Sequence, residues 1–256
     1  WLLDNFRWSV TALNTYLRDP EEFLHNTLLR VPRAKSPILS FGTAMHSAME
    51  FIYKTFQQTG NYPALADLQQ QFSLSLKQEV MTPVEHEKRL KHGKEVLVHY
   101  HEQLTGKNPD PLYIEKMFGN SKHKVMLDDI PLNGRIDRVD WVDKENKQVK
   151  VIDYKTGKTR SANDIEGKTK SAKLSERERE LPESIRGPYK RQLLFYKLLA
   201  KLDRGFPYEV MSGEFEFVEP NNAGKIVTRN FELLDEDVRV LGELIKEVVE
   251  ELRGRW

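Results

Sequence analysis

The 256-residue chain contains no cysteine. That absence excludes disulfides, thiolate metal sites and cysteine-ligated iron–sulfur clusters, and it leaves the redox compartment unmarked. No apolar run approaches the roughly 20 residues that cross a bilayer, and no signal-peptide pattern opens the chain. A cytoplasmic location and no membrane partner are therefore expected. Net charge is also scarce, since 40 Lys and Arg face 39 Asp and Glu for a formal +1. Such a balance argues against a uniformly basic, histone-like nucleic-acid binder. No G-x-x-x-x-G-K-[S/T] loop for nucleotide phosphates occurs, and there is no internal repeat or low-complexity tract.

What is present is the composition of a globular protein with a highly charged exterior, 39% hydrophobic and 31% charged. The length sits at the upper end of single-domain size, so a large core can be buried. The charge is unevenly spread. Between Lys155 and Arg191 there are eleven Lys and Arg against six Asp and Glu, which suits either a solvated polar loop or a surface for phosphates. The chain opens on a patterned segment at Trp1 rather than on Met, as expected of a domain cut from a longer polypeptide.

Periodicity places helices first. Ser9 reads as the N-cap of a helix over 10–17, interrupted at Asp19-Pro20, where a second segment begins. Ser40 precedes a long helix over 41–57 with Met45, Met49, Ile52 and Phe56 on its apolar stripe, and Gly60 to Pro63 ends it. Further helices are expected over 64–80 and 83–104. Strand patterns follow at 112–118, 122–127, 132–142 and 149–154, with Asp128-Asp129 as a turn between the second and third. The stretch 157–186 has no sustained apolar period and reads as a long loop with some irregular helix. A strong amphipathic helix over 188–202, strands over 209–218 and 225–233, and a helix from an Asp235 cap to Leu252 complete the order. The expected fold is α/β, a mixed central sheet flanked by helices with an N-terminal helical cap. Residues 1–107 form its mainly helical part and 108–256 its sheet and flanking helices.

Three polar positions ride on strands. In Gly134-Arg135-Ile136-Asp137 the period of two puts Asp137 with Val139 on one face and Ile136 with Arg138 on the other. In Asp153-Tyr154-Lys155 the same period aligns Asp153 with Lys155. An acid that ends a buried strand is costly unless it is paired, hydrogen-bonded or bound to a cation. Two such strands side by side would gather two carboxylates and an ammonium in one cleft. That grouping suits phosphodiester hydrolysis, because hard oxygen ligands hold Mg²⁺ or Mn²⁺ and the metal activates a water. The lysine could orient or deprotonate that water or act as a fixed cation on phosphate, and the local sequence leaves these roles open. A surface ion pair would have the same Asp-x-Lys pattern. His46, with Glu50 one turn on, and Gln192, with Tyr196 one turn on, are further candidates. Their plainer readings are a satisfied helical His, a solvated Gln and a core Tyr.

Taken together, Phe41-Gly42-Thr43-Ala44-Met45-His46, Gly134-Arg135-Ile136-Asp137, Asp153-Tyr154-Lys155-Thr156-Gly157 and Gln192 with Tyr196 resemble the RecB-like branch of the PD-(D/E)XK nuclease superfamily. The opening helix from Ser9 to Leu17, with Pro20 and Phe23, resembles the family's N-terminal helix. The resemblance spans about residues 8 to 200, in the family's order. It implies a metal held by His46, Asp137, Asp153 and the Tyr154 carbonyl. It implies Lys155 as the catalytic lysine, Gln192 and Tyr196 beside the site, and Glu115 and Glu50 as lesser candidates that bind metal-bound water or serve only structurally. Many relatives carry four Cys around an iron–sulfur cluster. Here Asp19 stands where one would precede Pro20, so the chain ends are expected to be held by packing alone.

The expected activity is that of a Mg²⁺- or Mn²⁺-dependent deoxyribonuclease acting on single-stranded DNA or duplex ends, as an exonuclease or another end-acting enzyme, in repair or recombination. The sequence leaves exo versus endo action open. RecB-like domains commonly sit at the C-terminus of superfamily 1 helicases or helicase–nucleases, so a helicase module in the same or a partner polypeptide is expected. The alternative is a non-catalytic DNA-binding scaffold. Because Asp137, Asp153 and Lys155 all stand in place, it is the weaker reading.

Overall fold

A computed structural model describes residues 3, 5–120 and 123–255. Helix α1 (Val10–Arg18) starts where expected, with the Ser9 side chain accepting from the Ala12 N–H at 3.2 Å. Asp19 ends α1 and caps α2 (Pro20–Glu22), which runs on into a π-helical turn over Phe23–Leu28. The long helix α3 (Pro37–Thr59) begins a turn earlier than the sequence suggests. Its cap is Ser36, accepting from the Leu39 N–H, and Ser40 is buried within the helix. Pro37 explains the shift, because proline at the first helical position loses no hydrogen bond and comes with its φ already set. Helices α4 (Leu65–Lys77) and α5 (Pro83–Glu102) follow.

The strands are β1 (Pro111–Phe118), β2 (Val125–Leu127), β3 (Ile130–Leu132), β4 (Gly134–Asp143) and β5 (Gln148–Lys155). Of the strand expected over 122–127, Lys122 lies outside the described residues. The strand expected over 132–142 is in fact two. Leu132 pairs with Val125 in a small β2–β3 sheet, whereas β4 joins the main sheet. The break falls at Asn133, whose N–H goes instead to the Trp8 carbonyl at 2.9 Å.

Residues 157–186 form α6 (Ala162–Ile165), a 3₁₀ turn at Lys170–Ala172, α7 (Glu176–Glu180) and α8 (Glu183–Arg186). Then come α9 (Pro188–Leu202), β6 (Glu209–Phe217), β7 (Val227–Glu232) and α10 (Asp235–Arg255). Asp235 lies in the first turn of α10 rather than capping it, and its carboxylate meets Lys197 at 2.9 Å and Lys201 at 3.0 Å.

The main sheet has the order β1-β4-β5-β6-β7, with β5 and β6 parallel and the other pairs antiparallel. This is the expected mixed sheet flanked by helices. One face buries Val149 and Val151 with Leu13 of α1, Leu193 of α9 and Leu241 of α10. The other buries Ile152 and Tyr154 with Met45 of α3, Phe72 of α4 and Leu97 of α5. The alternation along β5 thus divides two cores, and both helical layers reach the same sheet end.

Packing alone does not hold the ends of the chain. The Ser175 hydroxyl donates to the Leu17 carbonyl at 2.8 Å, and Arg177 bonds Glu251 at 2.6 Å while covering the Tyr16 ring. Arg191, fully buried, donates to Asn14 at 2.8 Å, to the Ile185 and Arg186 carbonyls, and to Glu178. These bonds stitch α1 to 157–186 and α9.

Candidate active site

The β4–β5 ladder runs through Val139↔Val151 and ends at Arg138↔Ile152. The next rung would pair Asp137 with Asp153. There a side chain replaces the backbone, because Asp137 Oδ2 accepts the Tyr154 N–H at 2.8 Å. Beside Asp137, the β1 residue Glu115 has a φ of 54°, a left-handed conformation uncommon for Glu. Alternation does not survive this distortion. Ile136 and Val139, three apart, share one core cluster, so Ile136 does not stand with Arg138 on the opposite face as expected.

The opened sheet end faces α3. His46 Nδ1 lies 3.4 Å from Asp137 Oδ1. One ligand atom each from His46, Glu115 and Asp137 lie within 4.8 Å of one another. Burial opposes the charged imidazole, yet Asp137, Asp153 and Glu115 together raise the His46 pKa. Burial and the neighbouring Asp137 push Glu115 up to about 7, against the pull of Arg135, whose Nε is 2.8 Å from Glu115 Oε2.

Asp153, two residues before the end of β5, is bonded by α9. Its Oδ1 accepts from the Tyr196 hydroxyl and from Gln192 Nε2, each at 2.7 Å. Lys155 Nζ donates to Gln192 Oε1 at 2.7 Å and stands 2.8 Å from Asp153 Oδ2. That second contact is an ion pair off the line of a good hydrogen bond, so among the described residues Oδ2 has no directed donor. Burial raises the Asp153 pKa, and Lys155 pulls it down. The ammonium also lies 4.8 Å from the Tyr189 ring centre and 5.1 Å from that of Phe215.

A cavity of about 320 Å³ is lined by His46, Asp137, Asp153, Lys155, Gln192 and Tyr196. A wider cleft of about 770 Å³ shares His46, Tyr154 and Lys155 and adds Glu50, Glu115, Ile38, Leu39 and Tyr189. The residues singled out from the sequence therefore border two adjoining spaces that share His46, Tyr154 and Lys155. Glu115, a lesser candidate, is the third member of the tight His46–Asp137 group. Asp153 stands next to that group, occupied by Lys155, Gln192 and Tyr196. Glu50 faces the cleft but is paired with Lys54 at 2.5 Å. Arg135 and Tyr189 had no sequence signal beyond their neighbours. Their contacts with Glu115 and Lys155 come from other elements.

This donor set fits a hard divalent cation. Two carboxylates and an imidazole converge, and Glu115 Oε2 and Asp153 Oδ2 are buried oxygens without a directed donor among the described residues. The basic run is largely spent on the fold. Arg191 and Lys190 are buried, Arg177 pairs with Glu251 and Lys168 with Glu166, and Arg179 and Arg186 donate to the Leu174 and Leu181 carbonyls, while Lys158 and Arg160 follow the Lys155 end of β5.

A protein-family model described as the PD-(D/E)XK nuclease superfamily matches residues 7–256. No curated protein sequence matches. Among solved structures, the crystal structure of SSO0001 is similar at 16% identity, over 80% of this chain and 74% of that one, with a TM-score of 0.29. Among the described residues no helix is long and apolar enough to cross a membrane.

Proposed function

The chain belongs to the PD-(D/E)XK nuclease superfamily, and from that premise we propose that it is a Mg²⁺- or Mn²⁺-dependent deoxyribonuclease of the RecB-like branch. The observation that carries this reading is the convergence of His46, Glu115 and Asp137, of which His46 and Asp137 line one cavity with Asp153, Lys155 and Gln192. His46, Asp137, Asp153 and the Tyr154 carbonyl would hold the ion, with Glu115 as an added carboxylate. A bound divalent ion supplies an acidified water and offsets charge on the scissile phosphate.

The chain's own residues supply the rest. Gln192 and Asp153 hold the Lys155 ammonium at the cavity, where it orients the attacking water and faces the phosphate as a fixed cation. Tyr196 and Gln192 hold Asp153 in turn through Oδ1, so its Oδ2, beside the Lys155 ammonium, is set at the cavity without a conformational search. Lys158 and Arg160 follow Lys155 along the chain, with Arg160 4.9 Å from the ring centre of Tyr189 on the cleft wall, and suit the phosphates of a bound strand.

The order of the motifs along the chain supports the RecB-like reading, and from that resemblance we further propose action on single strands or duplex ends, in repair or recombination and beside a superfamily 1 helicase. The test is incubation of end-labelled single- and double-stranded DNA with Mg²⁺, Mn²⁺ or EDTA. Cleavage is expected with either metal, none with EDTA, and none from Asp153→Ala or Lys155→Ala variants that retain the wild-type circular dichroism. Full cleavage by either variant would overturn the assignment.

A further inference from the structure

Behind the cleft, on the α3 face of the sheet, lies a buried polar cluster that the proposed chemistry does not use. Arg138, next to Asp137, is 4% exposed. Its Nη1 donates to the Tyr154 hydroxyl at 2.8 Å, its Nε is 2.9 Å from Asp140 Oδ1, and its Nη2 is 3.8 Å from Glu216 Oε2. The guanidinium also lies 3.8 Å from the centre of the Tyr53 ring. At the far end Tyr100 donates to Glu216 Oε1 at 2.5 Å, and the Tyr53 and Tyr100 hydroxyls are 2.9 Å apart. Arg138 thus answers two buried carboxylates, and Glu216 is met as well by the Tyr100 phenol and by Lys107, whose Nζ is 3.6 Å from its Oε1.

The location gives the cluster its significance. Asp137 and Asp153 lie one residue past the last β4–β5 rung, so no backbone pair fixes how far apart they stand. The nearest ties across the gap both end on Tyr154. Its N–H holds Asp137, and its hydroxyl takes Arg138 from the strand that carries Asp137. The Tyr154 ring stacks on Tyr53 of α3 at 5.9 Å and 13°, and meets the edge of His46 at 6.2 Å and 71°. A single side chain therefore touches the strand of Asp153, the strand of Asp137 and the helix of His46.

We propose that the Arg138–Tyr154 bond is a positioning clamp that sets the spacing of His46, Asp137 and Asp153 for the divalent ion. The clamp rests on the metal-site reading above and adds to it two residues that touch neither substrate nor ion through their side chains. Outer partners of this kind typically alter metal affinity by about 10- to 100-fold when removed.

The experiment measures Mn²⁺ affinity by calorimetry on the intact protein without DNA, alongside thermal unfolding. Tyr154→Phe removes only the hydroxyl, and Arg138→Lys keeps the charge but loses the planar fork. Both are expected to weaken Mn²⁺ at least about tenfold. Tyr100→Phe, which cuts the Glu216 end of the same cluster, is expected to lower the melting temperature while leaving Mn²⁺ affinity within about twofold. The clamp is overturned if Tyr154→Phe binds Mn²⁺ like wild type, or if Tyr100→Phe weakens it equally, since the effect would then be general destabilisation. Wild-type protein that fails to bind Mn²⁺ would overturn the metal-site reading together with the clamp.

Discussion

Lys155 and Gln192 meet at 2.7 Å, and this bond joins the end of β5 to the first turns of α9. The amide works in two directions, accepting from the ammonium through Oε1 and donating to Asp153 and the Tyr196 hydroxyl through Nε2. Gln192→Ala should leave the lysine's charge in place but free its direction. Turnover is expected to fall about 10- to 100-fold with little change in KM for DNA. Single-turnover cleavage measures this directly, and an unchanged rate would remove Gln192 from the catalytic apparatus. Gln192→Glu sets a second carboxylate against Asp153 and should be worse than the alanine variant.

The crowding of acids predicts a pH dependence whose sign can be worked out. Burial and Asp137 raise Glu115 to about 7 in the fold, from about 4.5 when unfolded. Between those values the folded protein holds more protons, so metal-free stability falls as pH rises. His46 and Asp153, also raised, act in the same direction. Metal-free protein should therefore lose melting temperature from pH 5 to pH 7.5, and Glu115→Gln should lose less. Saturating Mn²⁺ should reverse the trend, because the ion competes with those protons. A Glu115→Gln variant with the wild-type profile would show that Glu115 is not the titrating group.

Arg191 is wholly buried, and its partners are Asn14, Glu178 and two carbonyls. Removing one member of a buried ion pair strands the other. Arg191→Met is expected to cost about 3–5 kcal/mol, and Arg191→Met with Glu178→Leu noticeably less. Urea midpoints for the two variants would show this. Equal losses would mean that the other partners, not Glu178, are what Arg191 satisfies.

Ile38 and Leu39 are 64% and 62% exposed on the wall of the wide cleft. Apolar groups beside a charged site suit the faces of unpaired bases better than a phosphate backbone. Replacing both with Asp is expected to raise KM for single-stranded DNA about tenfold, a change of roughly 1.4 kcal/mol, without altering Mn²⁺ affinity. Fluorescence anisotropy with a labelled oligonucleotide in Ca²⁺ would show no change if this wall does not touch the strand.

Most element types follow from local pattern. Ser9 caps α1, Val149 to Tyr154 alternates as a core strand, and Pro188 opens α9, because short-range sterics and apolar period govern each. Asp153-Tyr154-Lys155 and Gly134-Arg135-Ile136-Asp137 were legible for the same reason. Boundaries were less so. The start of α3 depended on Ser36-Pro37 rather than Ser40, and the break at Asn133 depended on Trp8, more than a hundred residues away.

What the sequence by itself determined is the set of reactive groups and the strands and helices that carry them. Only the tertiary structure decided that Glu115 joins His46 and Asp137, because a left-handed turn in β1 and the loss of a ladder rung aim these groups together. It also decided that much of the cationic run from Lys155 to Arg191 serves the fold. A charge's partner is fixed by packing across the chain, and counting along the chain cannot show whether a lysine or arginine is already paired.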